Sequence, residues 1–184
     1  MFAIGKIVRP IEEQELIKWV QERNILFSNE AFEKRWIEQG KLGGAENDIY
    51  YGKGRWVKRN TLRFHTSYLE FFYRLSLQNY FFPGCPVELF GFVRSEGKLL
   101  PMFKQPDIVA SRGSTTKEVS IAMSEIGFKR QGDSDDYYNE ELDISIEDLH
   151  DQNALINENG MEIIDPVIFL AESGKARRLN MFRE

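Results

Sequence analysis

Apolar and polar positions change period several times along the chain. After Pro10, residues 11–20 place Leu16, Ile17, Trp19 and Val20 at helical spacing, with acids in the first turn. A second helix is predicted from Asn29 to Gln39, with Phe32, Trp36 and Ile37 on one side. The first forty residues thus read as a helical hairpin whose aromatic face packs on a core. From Gly43 the period becomes two. Ile49–Tyr51 and Arg55–Lys58, joined by Gly52-Lys53-Gly54, read as short antiparallel strands. A helix with Ser or Thr near its start is predicted from Thr66 to Leu77, stopped by Pro83-Gly84-Cys85-Pro86. Strands Val87–Val93 and Lys98–Lys104 follow, joined by the turn Ser95-Glu96-Gly97. Gln105-Pro106-Asp107 is predicted to break the sheet, because proline lacks the ladder donor. A further helix runs from Thr116 to Ile126 and closes at Gly127, and Asp133-Ser134-Asp135-Asp136 reads as a solvated loop without a function.

The run from Ile144 to Pro166 carries the chemistry. Around the Asn159-Gly160 turn, Ala154-Leu155-Ile156 can pair antiparallel with Met161–Ile164. In either of two registers the hairpin brings Asn153 and Asp165 together at its open end. Amide and carboxylate oxygens are the donors a hard cation such as magnesium takes, usually one or two from the protein beside phosphate and water. Asp148 lies five residues before Asn153, in the loop entering the hairpin, where it can reach a hydroxyl next to a metal-bound phosphate. That is the position of a general base.

Asp148, Asn153 and Asp165 in this order and spacing resemble the protein kinase and aminoglycoside phosphotransferase superfamily, whose pattern is a catalytic Asp, four residues, an Asn, a short hairpin and a metal-binding Asp. Asp148-Leu149-His150-Asp151-Gln152-Asn153 followed by Ile164-Asp165-Pro166 is similar to bacterial phosphotransferase-like kinases. More narrowly, it resembles the kinase-like domain of long polyvalent proteins of phages and conjugative elements. The resemblance spans about Gly43 to Leu170. It implies that Gly43 and Gly44 belong to a loop whose N–H groups cover the nucleotide phosphates, and that Lys58 reaches those phosphates. Glu70 would pair with Lys58 and orient it, and Gln105-Pro106-Asp107 would be the hinge whose backbone meets adenine. Asn153 and Asp165 would hold magnesium, and Asp148 would take or steer the acceptor's proton. Singly, each residue has an ordinary reading: Asp148 a turn or cap residue, Asn153 a turn amide, Lys58 a solvated strand end, Glu70 an exposed helix acid.

The implied fold is α+β and protein kinase-like: a bilobal molecule with a small antiparallel-sheet N-lobe over 43–104 and a hinge with a reduced helical C-lobe over 105–184. A helical N-terminal extension over 1–42 precedes them. The implied activity is ATP-dependent transfer of a γ-phosphoryl group, with ATP and magnesium required and a protein or small molecule as hydroxyl acceptor. The alternative is a catalytically inactive kinase-like module that binds nucleotide or a partner protein. Three departures bear on the choice. Ile146-Glu147-Asp148 stands where relatives carry His-Arg-Asp or His-Gly-Asp, so the histidine that props the catalytic loop is missing. Pro166-Val167 follows Asp165 in place of Phe-Gly, which removes a phenylalanine-flip switch. Nineteen residues follow Asp165, which makes the C-lobe minimal.

Composition narrows the remaining classes. Large side chains are plentiful, with 14 Phe, 7 Tyr and 3 Trp in 184 residues, enough for a core without staples. A single cysteine, Cys85, excludes an internal disulfide framework and a multi-cysteine zinc cluster, and fits a reducing compartment. No apolar run approaches the ~20 residues that span a bilayer, and the N-terminus lacks a signal-peptide profile, so a soluble cytoplasmic protein without a membrane partner is expected. A net charge of −5 argues against a general nucleic-acid binder. The basic run Lys175-Ala176-Arg177-Arg178 reads as a solvated helix end. Neither Ser111-Arg112-Gly113-Ser114 nor Cys85 sits in a nucleophile motif with a base, and His65, His150 and Cys85 lack zinc-ligand spacing.

Overall fold

The computed structural model describes residues 2–36, 42–44 and 46–170. Ile37 with the end of the second predicted helix, Ala45 and the basic run 175–178 lie outside them. The fold is α+β, and the chain forms two compact units, residues 1–72 with 87–107 and residues 73–86 with 108–184.

The first unit is built on a six-stranded sheet. Its helices are α1 (Phe2–Glu22), α2 (Asn29–Trp36) and the first turn of α3 (Tyr68–Phe81). The helix α1 starts before Pro10 and runs through it; the ring removes one ladder donor and the helix continues on both sides. Between α1 and α2 lies β1 (Leu26–Phe27), which the sequence pattern does not announce. The other strands are β2 (Leu42–Gly43), β3 (Asn47–Gly52), β4 (Arg55–Asn60), β5 (Glu88–Ser95) and β6 (Lys98–Pro106). Their order is β1-β5-β6-β4-β3-β2, antiparallel except for the parallel pair of β1 with β5. The 1–42 segment is therefore not a purely helical extension, since β1 edges the sheet and α1 and α2 share its unit.

Gly91 explains how that edge fits. A Cβ there would run into the Phe27 ring and come 2.8 Å from the Ile25 carbonyl oxygen, which accepts the Phe92 N–H at 2.9 Å. Only glycine admits this approach. The register of β5 against β6 shifts between Leu89 and Gly91, a bulge beside the same contact. On one face of the sheet Phe32, Tyr50, Val57, Val93 and Met102 form a buried cluster. Strand β6 runs through Gln105 to Pro106, further than predicted; the proline takes the last position, where no further ladder donor is needed.

The second unit is richer in strands than a helical lobe. The later turns of α3 and α4 (Thr116–Glu125) are its described helices, where the sequence reading expects a helical C-lobe. Strands β8 (Lys129–Arg130), β9 (Tyr137–Asn139), β10 (Ile144–Glu147) and β13 (Val167–Leu170) form one sheet in the order β13-β10-β9-β8. A second sheet joins β12 (Gly160–Ile163), β11 (Ala154–Asn157) and β7 (Arg112–Gly113). Helix α4 matches its predicted bounds within one residue. Thr115 and Glu118 form a capping box at its start, and Gly127, at φ 84°, follows its C-cap Ile126. Val119, Met123, Phe128, Tyr137, Ile146 and Ile168 fill the core, with Phe82 of the segment after α3 joining them.

Candidate functional site

The β11–β12 hairpin sets the site. Ala154 faces Ile163, Leu155 faces Glu162, Ile156 faces Met161 and Asn157 faces Gly160, around the turn at Asn159. At the open end the Asn153 carbonyl accepts the Ile164 N–H at 2.9 Å, so Asn153 and the chain entering Asp165 are adjacent. On the other side, β7 pairs with β11, and the Ser111 and Ser114 N–H groups donate to the Ile156 and Ala154 carbonyls at 2.8 Å. Ser111-Arg112-Gly113-Ser114 thus braces the hairpin. A Cβ on Gly113 would come 2.6 Å from the Asp151 carbonyl oxygen, so the brace touches the loop at a place only glycine fits.

The loop from Asp148 to Asn153 is held from below and from within. Leu149 is 1% exposed and belongs to the unit's core, while the flanking Asp148 and His150 side chains are 55% and 35% exposed. Asp148 adopts φ 68°, a left-handed conformation that turns the chain so that Leu149 points inward and Asp148 outward. The Leu149 N–H donates to the Asp135 carbonyl at 3.1 Å, so the acidic loop that appeared functionless supports this turn. Asn153 Nδ2 donates to the Asp148 carbonyl at 3.0 Å and to Asp148 Oδ2 at 3.2 Å. A carbonyl can only accept, which fixes the nitrogen on that side and turns Asn153 Oδ1 away from Asp148. An amide oxygen freed in this way is a hard donor, and with the carboxylate of Asp165 it matches what magnesium takes. Among the described residues, no group of three or more His, Cys, Asp or Glu converges on one cation position.

In the first unit the sequence-predicted residues are differently placed. Lys58 lies inside β4, opposite Ile49 and Phe103, and is 6% exposed; the strand continues to Asn60, so Lys58 is not a solvated strand end. Gly43 belongs to β2 opposite Asp48, and the Gly44 N–H donates to the Asn47 carbonyl at 3.0 Å. Gly44 thus offers its N–H to a tight hairpin and not to a phosphate. Glu70 differs most from expectation: its Oε2 accepts the Thr66 N–H at 2.7 Å and the Thr66 hydroxyl at 2.5 Å, and its own N–H donates to Ser67 Oγ. The carboxylate caps α3, where the sequence reading pairs it with Lys58. A partner four residues away wins because the closure is local and needs no tertiary alignment.

Gln105 is 3% exposed in β6, opposite Trp56. Asp107 is bound to the β3–β4 hairpin: Tyr51 and Trp56 donate to its two oxygens, both at 2.9 Å, and its N–H donates to the Gly54 carbonyl at 3.3 Å. The hydrogen bond to Asp107, then burial and the nearby negative charge, raise the Tyr51 phenol above its ordinary value. Pro106 has no N–H and that of Asp107 is taken, so neither of these two hinge residues holds a free backbone donor for a base.

The reading from sequence missed three contributors: Leu149, Asp135 and His150. A lone leucine among Glu147, Asp148, His150 and Asp151 was the available signal for an anchored loop. Beside the brace, Arg112 and Glu118 form a two-pronged pair, at 3.0 and 2.6 Å. That pair, with the Thr115 N–H and hydroxyl, lowers the Glu118 carboxyl to about 2.

A polar loop gripping an aspartate, a hairpin and a second acid beyond it are compatible with a kinase-like domain. Residues 10–172 match the sequence profile of the serine/threonine/tyrosine kinases found in polyvalent proteins, and the chain belongs to that family. No curated protein and no solved structure matches it.

Proposed function

We propose that the protein is an ATP-dependent phosphotransferase of protein kinase-like bilobal fold, moving the γ-phosphoryl group to a hydroxyl acceptor with magnesium in the cytoplasm. The arrangement of Asn153 carries this reading: its nitrogen fixes Asp148 and its oxygen is left for a cation beside Asp165. Magnesium, when bound, neutralises charge on the transferring phosphate. Asp148, half-exposed and held at Oδ2, steers the acceptor hydroxyl and takes its proton. Lys58 supplies fixed positive charge for the phosphates, and its desolvated strand position strengthens that charge's pull. Catalysis of this kind is positioning and electrostatics. Release or transfer of γ-phosphate from magnesium ATP should therefore be lost in Asp165→Ala while the fold persists. Equal rates in the two proteins defeat the assignment.

The commitments of Gly44, Glu70 and Asp107 to local structure favour a second reading, a kinase-like module that binds nucleotide or a partner protein without turnover. It predicts that ATP raises the unfolding midpoint without any transfer. Magnesium-dependent turnover rejects it.

A further inference from the structure

We infer that His150 is the positioning residue of Asp148, fixing the carboxylate from inside the loop; this rests on the phosphotransferase reading above. The ring has polar neighbours at both nitrogens: the Gln152 N–H and, at 3.9 Å and beyond hydrogen-bond reach, Asp151 Oδ1 at Nδ1; Asp148 Oδ1 and Asn153 Nδ2 at Nε2. Gln152 N–H donates to His150 Nδ1 at 3.1 Å, and because a backbone N–H can only donate, Nδ1 is the accepting, unprotonated nitrogen. The proton then sits on Nε2, which lies 3.4 Å from Asp148 Oδ1. Asn153 Nδ2 is 3.3 Å from the same Nε2, but it is itself a donor directed at Asp148, so of the two neighbours of Nε2 only the carboxylate, in close contact at 3.4 Å, can accept.

Asp148 is thereby flanked at both oxygens, with Oδ2 hydrogen-bonded by Asn153 and Oδ1 in a 3.4 Å contact with the His150 ring, on a backbone already turned into the left-handed region. The chain makes this possible by a short closure. The Asn153 and Ala154 N–H groups both donate to the His150 carbonyl at 3.0 Å, so the histidine's backbone is pinned as well as its ring. Ile146, two residues before Asp148, is fully buried in the core, so its side chain contributes packing and no hydrogen bond to the loop. With about a third of its side chain exposed, His150 is not a core residue, and packing does not account for its orientation.

The test combines a nitrogen spectrum with kinetics on the full chain. Only His65 and His150 contribute imidazole signals, so 15N labelling resolves the tautomer. His150 should show a protonated Nε2 and an unprotonated Nδ1, and its Nε2 signal should move in Asp148→Asn. With magnesium ATP, His150→Ala should lower kcat about tenfold to a hundredfold, with KM for ATP changed less than about twofold. His150→Gln, whose distal amide can place an N–H near the Nε2 position, should recover part of kcat, whereas His150→Asn, which can keep only the Gln152 contact, should not. A proton on Nδ1, or a wild-type kcat in His150→Ala while Asp165→Ala is inactive, overturns the inference alone. Absence of γ-phosphate transfer by the wild type overturns the phosphotransferase reading and this inference with it.

Discussion

The loop from Asp148 to Asn153 and the sites of Gly44, Glu70 and Asp107 in the first unit use their polar groups in opposite ways. In the loop, backbone and core residues carry the structure, which leaves Asp148, His150 and Asn153 to contact one another with half-exposed oxygens facing out. In the first unit, the groups expected to serve a nucleotide close a hairpin, cap a helix and tie a strand end. A residue's place in an ordered motif therefore leaves its side chain available for chemistry only where the fold supplies other atoms to satisfy the backbone. The largest test of that difference is Leu149→Ala. Truncating a fully buried leucine costs about 2–5 kcal/mol, and here it also releases the turn that separates Asp148 from His150. Urea unfolding should show the loss; a cost below about 1 kcal/mol would mean that the core does not anchor the loop.

Asp107→Ala probes the opposite case. If its carboxylate is structural, stability should fall by about 1–2 kcal/mol as Tyr51 and Trp56 lose their acceptor, with ATP affinity unchanged. The Tyr51 phenol, now raised, should titrate closer to its ordinary 10, which tyrosine carbon spectra would read. A marked drop in ATP affinity with stability intact would return Asp107 to the site and erase the contrast between the two regions.

A smaller effect is expected at the brace beside the loop. Glu118 is lowered from 4.5 to about 2, so its ionised form favours the folded chain. That contribution is complete above the ordinary carboxylate range and is lost as pH falls through about 2, so wild type should outlast Glu118→Gln near neutrality and converge with it in acid. The pair with Arg112 is solvent-exposed, and salt should shrink the gap. Thermal midpoints across the acid limb measure this; a gap that widens on acidification would contradict the assigned cause.

The same contrast explains what could be read from the chain. The hairpin followed from Asn159-Gly160 and the flanking apolar runs, with its register open between two that the pairing of Ala154 with Ile163 decides, and α4 followed from its period and Gly127, because those signals lie within a dozen residues. Strand β1 was not legible, since two residues carry no period and its partner residues Phe92 and Val93 lie far along the chain. The short strands β8, β9, β10 and β13 carry equally weak patterns, and the helical C-lobe expected for the second unit came from the family resemblance, not from its periodicity. At the site, spacing placed Asp148 in the loop before Asn153 but could not show that the Asn153 amide nitrogen grips the aspartate. It also gave no means of seeing that Thr66 competes with Lys58 for Glu70.

Glu70→Gln should have the smallest effect and discriminates most sharply. A glutamine keeps an acceptor oxygen for the Thr66 N–H and hydroxyl, so the start of α3 should survive with stability changed by less than about 0.5 kcal/mol. Glu70→Ala, which removes the acceptor, should cost about 1 kcal/mol, confirming that the variant series reports on the cap. Turnover with magnesium ATP should stay within about twofold in the glutamine variant, because an amide loses only the charge. Should turnover instead collapse while the urea midpoint holds, the lost charge must have been serving a cation during the reaction. Lys58 would be that cation, and Glu70 would then serve the cap in the resting chain and the lysine in the working one.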